Sequence, residues 1–142
     1  MKYACLVYHG EGDLDIPDDE LRDRMRGCGA WVSDLDRGGQ HIVSAALQSA
    51  GTATTLRSRN GKISVTDGPF AETKEVLAGF TLIEARDLNE ALRQASKLAE
   101  CSRASIEVRP LMQPGVELAD ERDRRIQAVL SEAAALVNKA VA

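Results

Sequence analysis

The sequence predicts an α+β fold in which four strands form one antiparallel sheet and two helices cover one of its faces. Three observations predict it: short segments rich in β-forming residues, two segments with the apolar spacing of amphipathic helices, and the order in which they alternate. That order is strand, helix, strand, hairpin, strand, helix, strand, a ferredoxin-like βαββαβ pattern with an inserted hairpin. With 142 residues, of which 44% are apolar and 28% charged, the chain suits a single soluble domain with a core of its own.

The first strand and the first helix are expected over residues 2–9 and 17 to about 37. KYACLVYH is short and mostly apolar, which is typical of a central strand. Pro17 and the acidic residues 18–20 suit the start of a helix, and Gly38 with Gly39 ends it. The apolar residues of this helix recur at spacings of three and four: Leu21, Met25, Cys28, Val32 and Leu35.

The middle of the chain is expected to form a strand over residues 41–48 and a hairpin over residues 52–66. Asn60 and Gly61 predict a type I′ turn, in which both residues have positive φ. A further strand is expected over residues 79–85. Asp87 and Glu90 then form a start signal resembling a capping box. The buried face of the second helix is expected to consist of Leu88, Leu92, Ala95 and Ala99.

The last strand is expected at SIEVRP, residues 105–110, and an appended amphipathic helix after Pro114 and Gly115. The apolar side of that helix is predicted to consist of Ile126, Val129, Leu130, Ala133, Leu136 and Val137.

Charge and composition argue against several kinds of partner. A net charge of −4 disfavours a surface for nucleic acid, whose binding relies on Lys and Arg. No apolar run approaches the length of a membrane span, and a strand-like segment follows Met1, so a cytoplasmic protein is expected. Cys5, Cys28 and Cys101 are odd in number and widely spaced, which favours packing over a disulfide or zinc site.

Three segments resemble the YCII-related family, specifically its branch with a DGPF motif. They are KYACLVYH, the run from TATTLRSRNGKISVTDGPFAETKE to LNEAL, and IEVRP, which together extend over about residues 1–112. The resemblance implies one domain over residues 1–112 and a homodimer that joins two sheets into an α/β barrel. The helical extension expected over residues 113–142 lies outside the resemblance. Relatives in the wider superfamily use the cleft between sheet and helices for small-molecule chemistry, and many members of this branch are encoded near sigma factors.

Two segments depart from the pattern of these relatives. Many relatives carry a histidine in the first helix, where this chain reads RGCGAWV and places Cys28. Many also have a glycine- and proline-containing segment where this chain reads IVSAALQSAG. Both departures fall where a ligand cleft is expected, so a family activity that uses a His and Asp pair would be altered or lost.

The segment VTDGPFAETKE, residues 65–75, carries the main candidate site. Asp67 either fixes its own turn by accepting amide hydrogen bonds or projects into a cleft as a general base. Gly68 would let a ligand approach the backbone, and its position before Pro69 favours an extended conformation. Lys74 is either an anchor for an anionic ligand or a member of a surface ion pair.

Three residues outside this segment are further candidates. Arg109 either binds a ligand carboxylate or pairs with Glu107 on the same face of the last strand. His9, at the end of the first strand, is the best acid–base candidate because histidine changes charge near neutral pH. His41 begins a strand and is expected to cap the sheet edge.

Neither a metal site nor a cofactor site is predicted. The spacing of His, Cys and carboxylates supplies no convergent metal ligands, and HGEGDLD lacks the glycine spacing of a phosphate loop. Two functions remain open. One is a small cofactor-free enzyme that performs isomerisation or elimination with Asp67 and His9. The other is a non-catalytic module that senses a ligand or binds a protein, linked to sigma-factor regulation.

Overall fold

The computed structural model describes residues 1–10 and 12–141, without the side chains of residues 136–141. Its main sheet has four antiparallel strands in the spatial order β2-β5-β1-β6. The strands are β1 (Lys2–Gly10), β2 (His41–Ala46), β5 (Glu75–Glu84) and β6 (Ser105–Pro110). This order, with a helix after β1 and another after β5, confirms the ferredoxin-like α+β prediction.

Two helices pack on one face of this sheet: α1 (Asp18–Arg37) and α2 (Leu88–Ser102). The N-terminus of α2 confirms the predicted start signal, because the Asp87 carboxylate accepts a hydrogen bond from the Glu90 amide over 2.8 Å. The two helices approach closely where a Cβ at Gly27 would lie 3.2 Å from Cys101 Cβ.

The core lies between the sheet and the two helices. Its buried apolar residues are Tyr3, Cys5 and Ile83 with Ala85 from the sheet side, and Trp31, Leu35, Ala91, Ala95 and Leu98 from the helices.

The predicted buried face of α2 is partly wrong. Leu88 and Leu92 are exposed, and the helix buries Ala91, Leu98 and Ser102 beside the predicted Ala95. Small side chains on the buried face allow α2 to pack closely against the sheet and α1. On α1, Met25 of the expected stripe is also exposed, whereas Trp31 is buried.

The inserted hairpin forms a separate two-stranded sheet from β3 (Thr54–Arg59) and β4 (Lys62–Asp67). Asn60 and Gly61 have φ of 50° and 73°, which confirms the predicted turn. The residues after the hairpin return quickly to the main sheet, because β5 begins at Glu75, four residues before the predicted start.

The appended helix is α3 (Glu121–Val141). On its predicted apolar side, Ile126 is half-buried, whereas Val129 and Leu130 are 63% and 56% exposed. The side chains of Leu136 and Val137 lie outside the described residues.

The face of the main sheet opposite α1 and α2 is also apolar. Leu6, Tyr8, Phe80 and Leu82 alternate along β1 and β5 with residues that point toward the helices, and each is only half-buried. We call this surface the outer sheet face.

Candidate functional site

A cleft of about 290 Å³ opens between the sheet and the two helices, and we call it the helix-side cleft. It lies where the end of β1 meets β5, the edge strand β2 and the middle of α1. The polar residues in its lining are His9, Cys28, Trp31, Ser44, Thr81 and Ser102. These side chains come from five different elements, so only the folded chain assembles them.

His9 extends from the end of β1 into the helix-side cleft. Its side chain is 13% exposed, and its Nδ1 atom is buried without a hydrogen-bond partner among the described residues. The Asp13 carboxylate lies 3.9 Å from Nδ1, which is too far for a hydrogen bond. Asp13 is held in place by the Gly10 amide, which donates to it over 2.6 Å.

Trp31 also lines this cleft, and it carries a second buried nitrogen without a partner among the described residues. Its residue is 5% exposed, and Nε1 has no hydrogen-bond partner within the described part of the chain. A buried polar atom without a partner costs free energy, and most such atoms in proteins are paired. The indole N–H and the imidazole nitrogen thus keep a hydrogen-bonding capacity that no group within the described residues satisfies.

A hydrogen-bonded chain of four side chains reaches the edge of the same cleft. The His41 ring lies with Nδ1 2.7 Å from Asp36 Oδ1 and Nε2 2.8 Å from Ser44 Oγ. The Ser44 hydroxyl in turn donates to Thr81 Oγ1 over 3.0 Å. The sequence predicts only that His41 caps the sheet edge. In the structure its ring connects the Asp36 carboxylate to the Ser44 hydroxyl, which lines the cleft.

A β-bulge in β2 makes this chain possible. Residues three apart in a regular strand point to opposite faces, so His41 and Ser44 would normally be separated. The register with β5 shifts between His41 and Val43, and as a result His41 pairs with Ile83 and Ser44 pairs with Thr81. Both side chains then lie on the helix side. No local sequence signal identifies this bulge.

A second and larger cavity, of about 760 Å³, lies on the other side of the sheet, and we call it the hairpin-side cavity. Tyr8, the neighbour of His9 in β1, lines it, because successive strand residues point to opposite faces. Its remaining lining includes Leu47, Leu56, Leu77 and the Pro69–Phe70 part of the segment after β4. The lining is mostly apolar, with hydroxyl groups from several threonines.

Asp67 is the last residue of β4, where it is exposed and pairs in register with Thr54. Its carboxylate accepts no hydrogen bond from the described residues, and it lines neither the helix-side cleft nor the hairpin-side cavity. The turn is fixed by other groups: the Gly68 amide donates to Ala53 O over 2.7 Å, and Thr55 Oγ1 donates to Gly68 O over 2.8 Å. The expected extended conformation of Gly68 is wrong, because its φ of 94° is one that glycine adopts without strain.

Lys74 and Arg109 lie apart from His9. Lys74 is exposed immediately before β5 and forms no ion pair with the described residues. Arg109 is 70% exposed on β6, and its Nε lies 3.4 Å from Glu107 Oε1, so the ion pair considered from the sequence is present. Of the five residues predicted for the site, His9 alone lies in the helix-side cleft.

The described residues provide neither a cluster of metal ligands nor a membrane-spanning helix. Within the described residues, no group of three or more His, Cys, Asp or Glu side chains is arranged to hold a metal ion. The helices of that same part of the chain include none with the length and apolar character needed to cross a membrane.

Comparison with known proteins identifies a family and a curated relative. The family model for the YCII-related domain matches residues 1–114. An uncharacterised protein of Rhizobium meliloti (strain 1021) is 41% identical over 114 residues, which cover 78% of this chain and 92% of the relative. The match therefore includes the whole sheet, both core helices and the hairpin, and it stops before α3.

Proposed function

The chain belongs to the YCII-related family, and from this premise we propose that it is a small cofactor-free enzyme that performs acid–base chemistry, of isomerase or lyase type, on a small organic molecule. The observation that carries the proposal is His9, which lines the helix-side cleft and whose buried Nδ1 has no hydrogen-bond partner among the described residues. Within the family we assign the chain to the branch with the DGPF motif, on the segment at residues 67–70.

The surroundings of His9 suit proton transfer. A general acid or base must lie within hydrogen-bond reach of the reacting atom, and an unpaired ring nitrogen offers that contact without first breaking another. The Trp31 N–H provides a donor that can orient a carbonyl or hydroxyl group in the same cleft. A volume of about 290 Å³ restricts the ligand to a small molecule.

The proposal includes a homodimer formed through the outer sheet face. Leu6, Phe80 and Leu82 are half-buried on that face, while α1 and α2 occupy the other one. A second copy of the sheet would cover these side chains and enclose the hairpin-side cavity. Asp67 and Lys74 are exposed in the monomer, so they take part in ligand binding only if this association closes over them.

Ligand binding by matched variants tests the enzyme proposal. A thermal-shift screen of small metabolites is run on the wild type, on His9→Gln, which cannot titrate, and on the exposed control Lys62→Gln. We expect a ligand whose stabilisation is lost in His9→Gln and kept in the control. If every stabilising ligand acts equally on His9→Gln and the wild type, the proposal is wrong.

The hairpin-side cavity favours a second candidate, a non-catalytic ligand-sensing module linked to sigma-factor regulation. This cavity is the larger of the two, and its apolar lining suits binding better than proton transfer. A ligand that loses affinity in Leu77→Ser but not in His9→Gln, and that the protein does not convert, would support the module over the enzyme.

A further inference from the structure

We propose that Ser44 is an activated nucleophile and that the helix-side cleft transfers the acyl group of a small ester or thioester to water. The proposal depends on the helix-side cleft as the binding site, but it uses Asp36, His41 and Ser44 instead of proton transfer by His9. Three side chains in this order form the arrangement that turns a serine hydroxyl into a nucleophile.

The distances fit the three roles. Asp36 Oδ1 lies 2.7 Å from His41 Nδ1, so the carboxylate accepts a hydrogen bond from Nδ1–H and fixes the orientation and tautomer of the ring. His41 Nε2 then directs its lone pair toward Ser44 Oγ, 2.8 Å away, within the range required of a general base.

Thr81 holds the serine in place. Ser44 donates to Thr81 Oγ1 over 3.0 Å, and rotation of the Ser44 hydroxyl about its C–O bond redirects the same hydrogen to His41 Nε2. Thr81 is 5% exposed and lies on the central strand β5, so its position is firmly set. The Thr81 hydroxyl can then donate to Ser44 Oγ as Ser44 gives up its proton.

Ser44 is also accessible to a ligand. It is an exposed residue of the edge strand β2, and it lines the cleft with Trp31. The unpaired Trp31 N–H is the donor that we assign to the carbonyl oxygen of the bound acyl group. Ser44 and Trp31 thus border one cavity of about 290 Å³, and His41 contacts Ser44 from outside its lining.

The reaction balances without a cofactor. Ser44 Oγ forms a bond to the carbonyl carbon while its proton passes to His41 Nε2. The bond from that carbon to the leaving oxygen or sulfur then breaks, and the leaving group takes the proton from His41. In the second half a water molecule attacks the acyl-serine as His41 accepts its proton, the bond to Ser44 breaks, and the proton returns to Ser44 as the carboxylic acid leaves.

A covalent probe and a small ester test the proposal. The full chain is incubated with a fluorophosphonate, and the modified residue is located by peptide mass spectrometry. Hydrolysis of p-nitrophenyl acetate is measured on the same samples. The variants are Ser44→Ala, His41→Gln and Asp36→Asn, with Ser64→Ala on the exposed strand β4 as the matched control. Circular dichroism establishes that each variant is folded.

We expect the phosphonyl adduct on Ser44, no adduct in Ser44→Ala, and labelling and hydrolysis slowed by about 100-fold or more in His41→Gln. Ser64→Ala should behave like the wild type. An adduct on another residue, or unchanged rates in folded His41→Gln, would overturn the proposal.

The two proposals fail in different ways. If Ser44 is not labelled while a metabolite still stabilises the wild type and not His9→Gln, the nucleophile is wrong and the proton-transfer proposal stands. If Ser44 is labelled in the wild type and labelling slows in His41→Gln, while His9→Gln binds every ligand normally, acyl transfer is supported and the proposed role of His9 is wrong.

Discussion

Replacement of Gly79 by alanine should displace the edge strand β2 and lower the stability of the sheet. Gly79 lies in β5 opposite Ala46, and a Cβ at this position would lie 2.8 Å from the carbonyl oxygen of Ala45. Ordinary van der Waals contacts begin near 3.4 Å, so the backbone of β2 has to move. A backbone carbonyl cannot rotate aside as the end of a flexible side chain can.

The expected loss of stability follows from this overlap. Overpacking by one methyl group typically costs about 1–3 kcal/mol. We expect a value in this range and not above it, because β2 is an edge strand that pairs only with β5 in the described sheet and can therefore shift. The shift would also displace Ser44, whose hydroxyl contacts Thr81 on β5, so labelling of Ser44 should fall.

Urea unfolding followed by circular dichroism measures the effect. Gly29→Ala in α1 is the matched control, because a Cβ there meets no atom of the described residues within 4 Å. This control should be more stable than the wild type by about 0.5–1 kcal/mol, since alanine favours a helix over glycine. If Gly79→Ala unfolds within about 0.5 kcal/mol of the wild type, the contact does not constrain the sheet, and the reasoning is refuted.

Four further predictions concern the core, the pair of thiols, the reactivity of Cys28 and the start of α2. Leu35 is 1% exposed, so Leu35→Ala should lower the free energy of unfolding by about 2–5 kcal/mol in urea titration, and a loss below about 1 kcal/mol would contradict its place in the core. Cys28 and Cys101 have their sulfur atoms 3.0 Å apart, and we expect the thiol oxidant diamide, applied in alkali, to join them with loss of two hydrogens; the intact mass detects this disulfide, which is absent in Cys28→Ser. Burial and then the neighbouring Cys101 raise the pKa of Cys28 to about 12, so its alkylation should be slow at neutral pH and accelerate in alkali; rapid neutral alkylation would refute this. Hydrogen bonds from the amide and side chain of Arg86 hold the pKa of Glu90 below its usual range, so this interaction stabilises the fold at neutral pH and is lost as the pH falls through the lowered pKa. The urea midpoint of Glu90→Gln should therefore change less between neutral and acid pH than that of the wild type. An equal change in the two proteins would contradict this prediction.

Much of the fold could be predicted from the sequence because its signals are local. The type I′ turn needs two residues that tolerate positive φ, and Asn60 with Gly61 provides them in adjacent positions. The start of α2 needs an acceptor for the Glu90 amide, and Asp87 lies at the required spacing. The alternation of strands and helices then leaves few topologies, and the ferredoxin-like order is among them.

The candidate site could be predicted only in part. His9 was identified from its place at the end of a strand, and it does line a cleft. Asp67 was identified from its turn, but turn chemistry does not determine which face of the molecule a carboxylate reaches. The larger departure is His41, whose partner Asp36 lies on a different element.

The sequence by itself determined the elements, their order, the turn at Asn60 and Gly61, and the start of α2 at Asp87. Each of these local features depends on residues within a few positions of one another. Tertiary structure alone decided three other features: which side of α2 is buried, the contact between Cys28 and Cys101, and the approach of His41 to Ser44. Helix rotation depends on where small side chains allow close packing, and the thiol contact joins residues 73 positions apart. The contact between His41 and Ser44 depends on a bulge in β2 that places both side chains on one face of the sheet. The bulge arises from the register between β2 and β5, and register is set by the pairing of two strands and not by either strand alone.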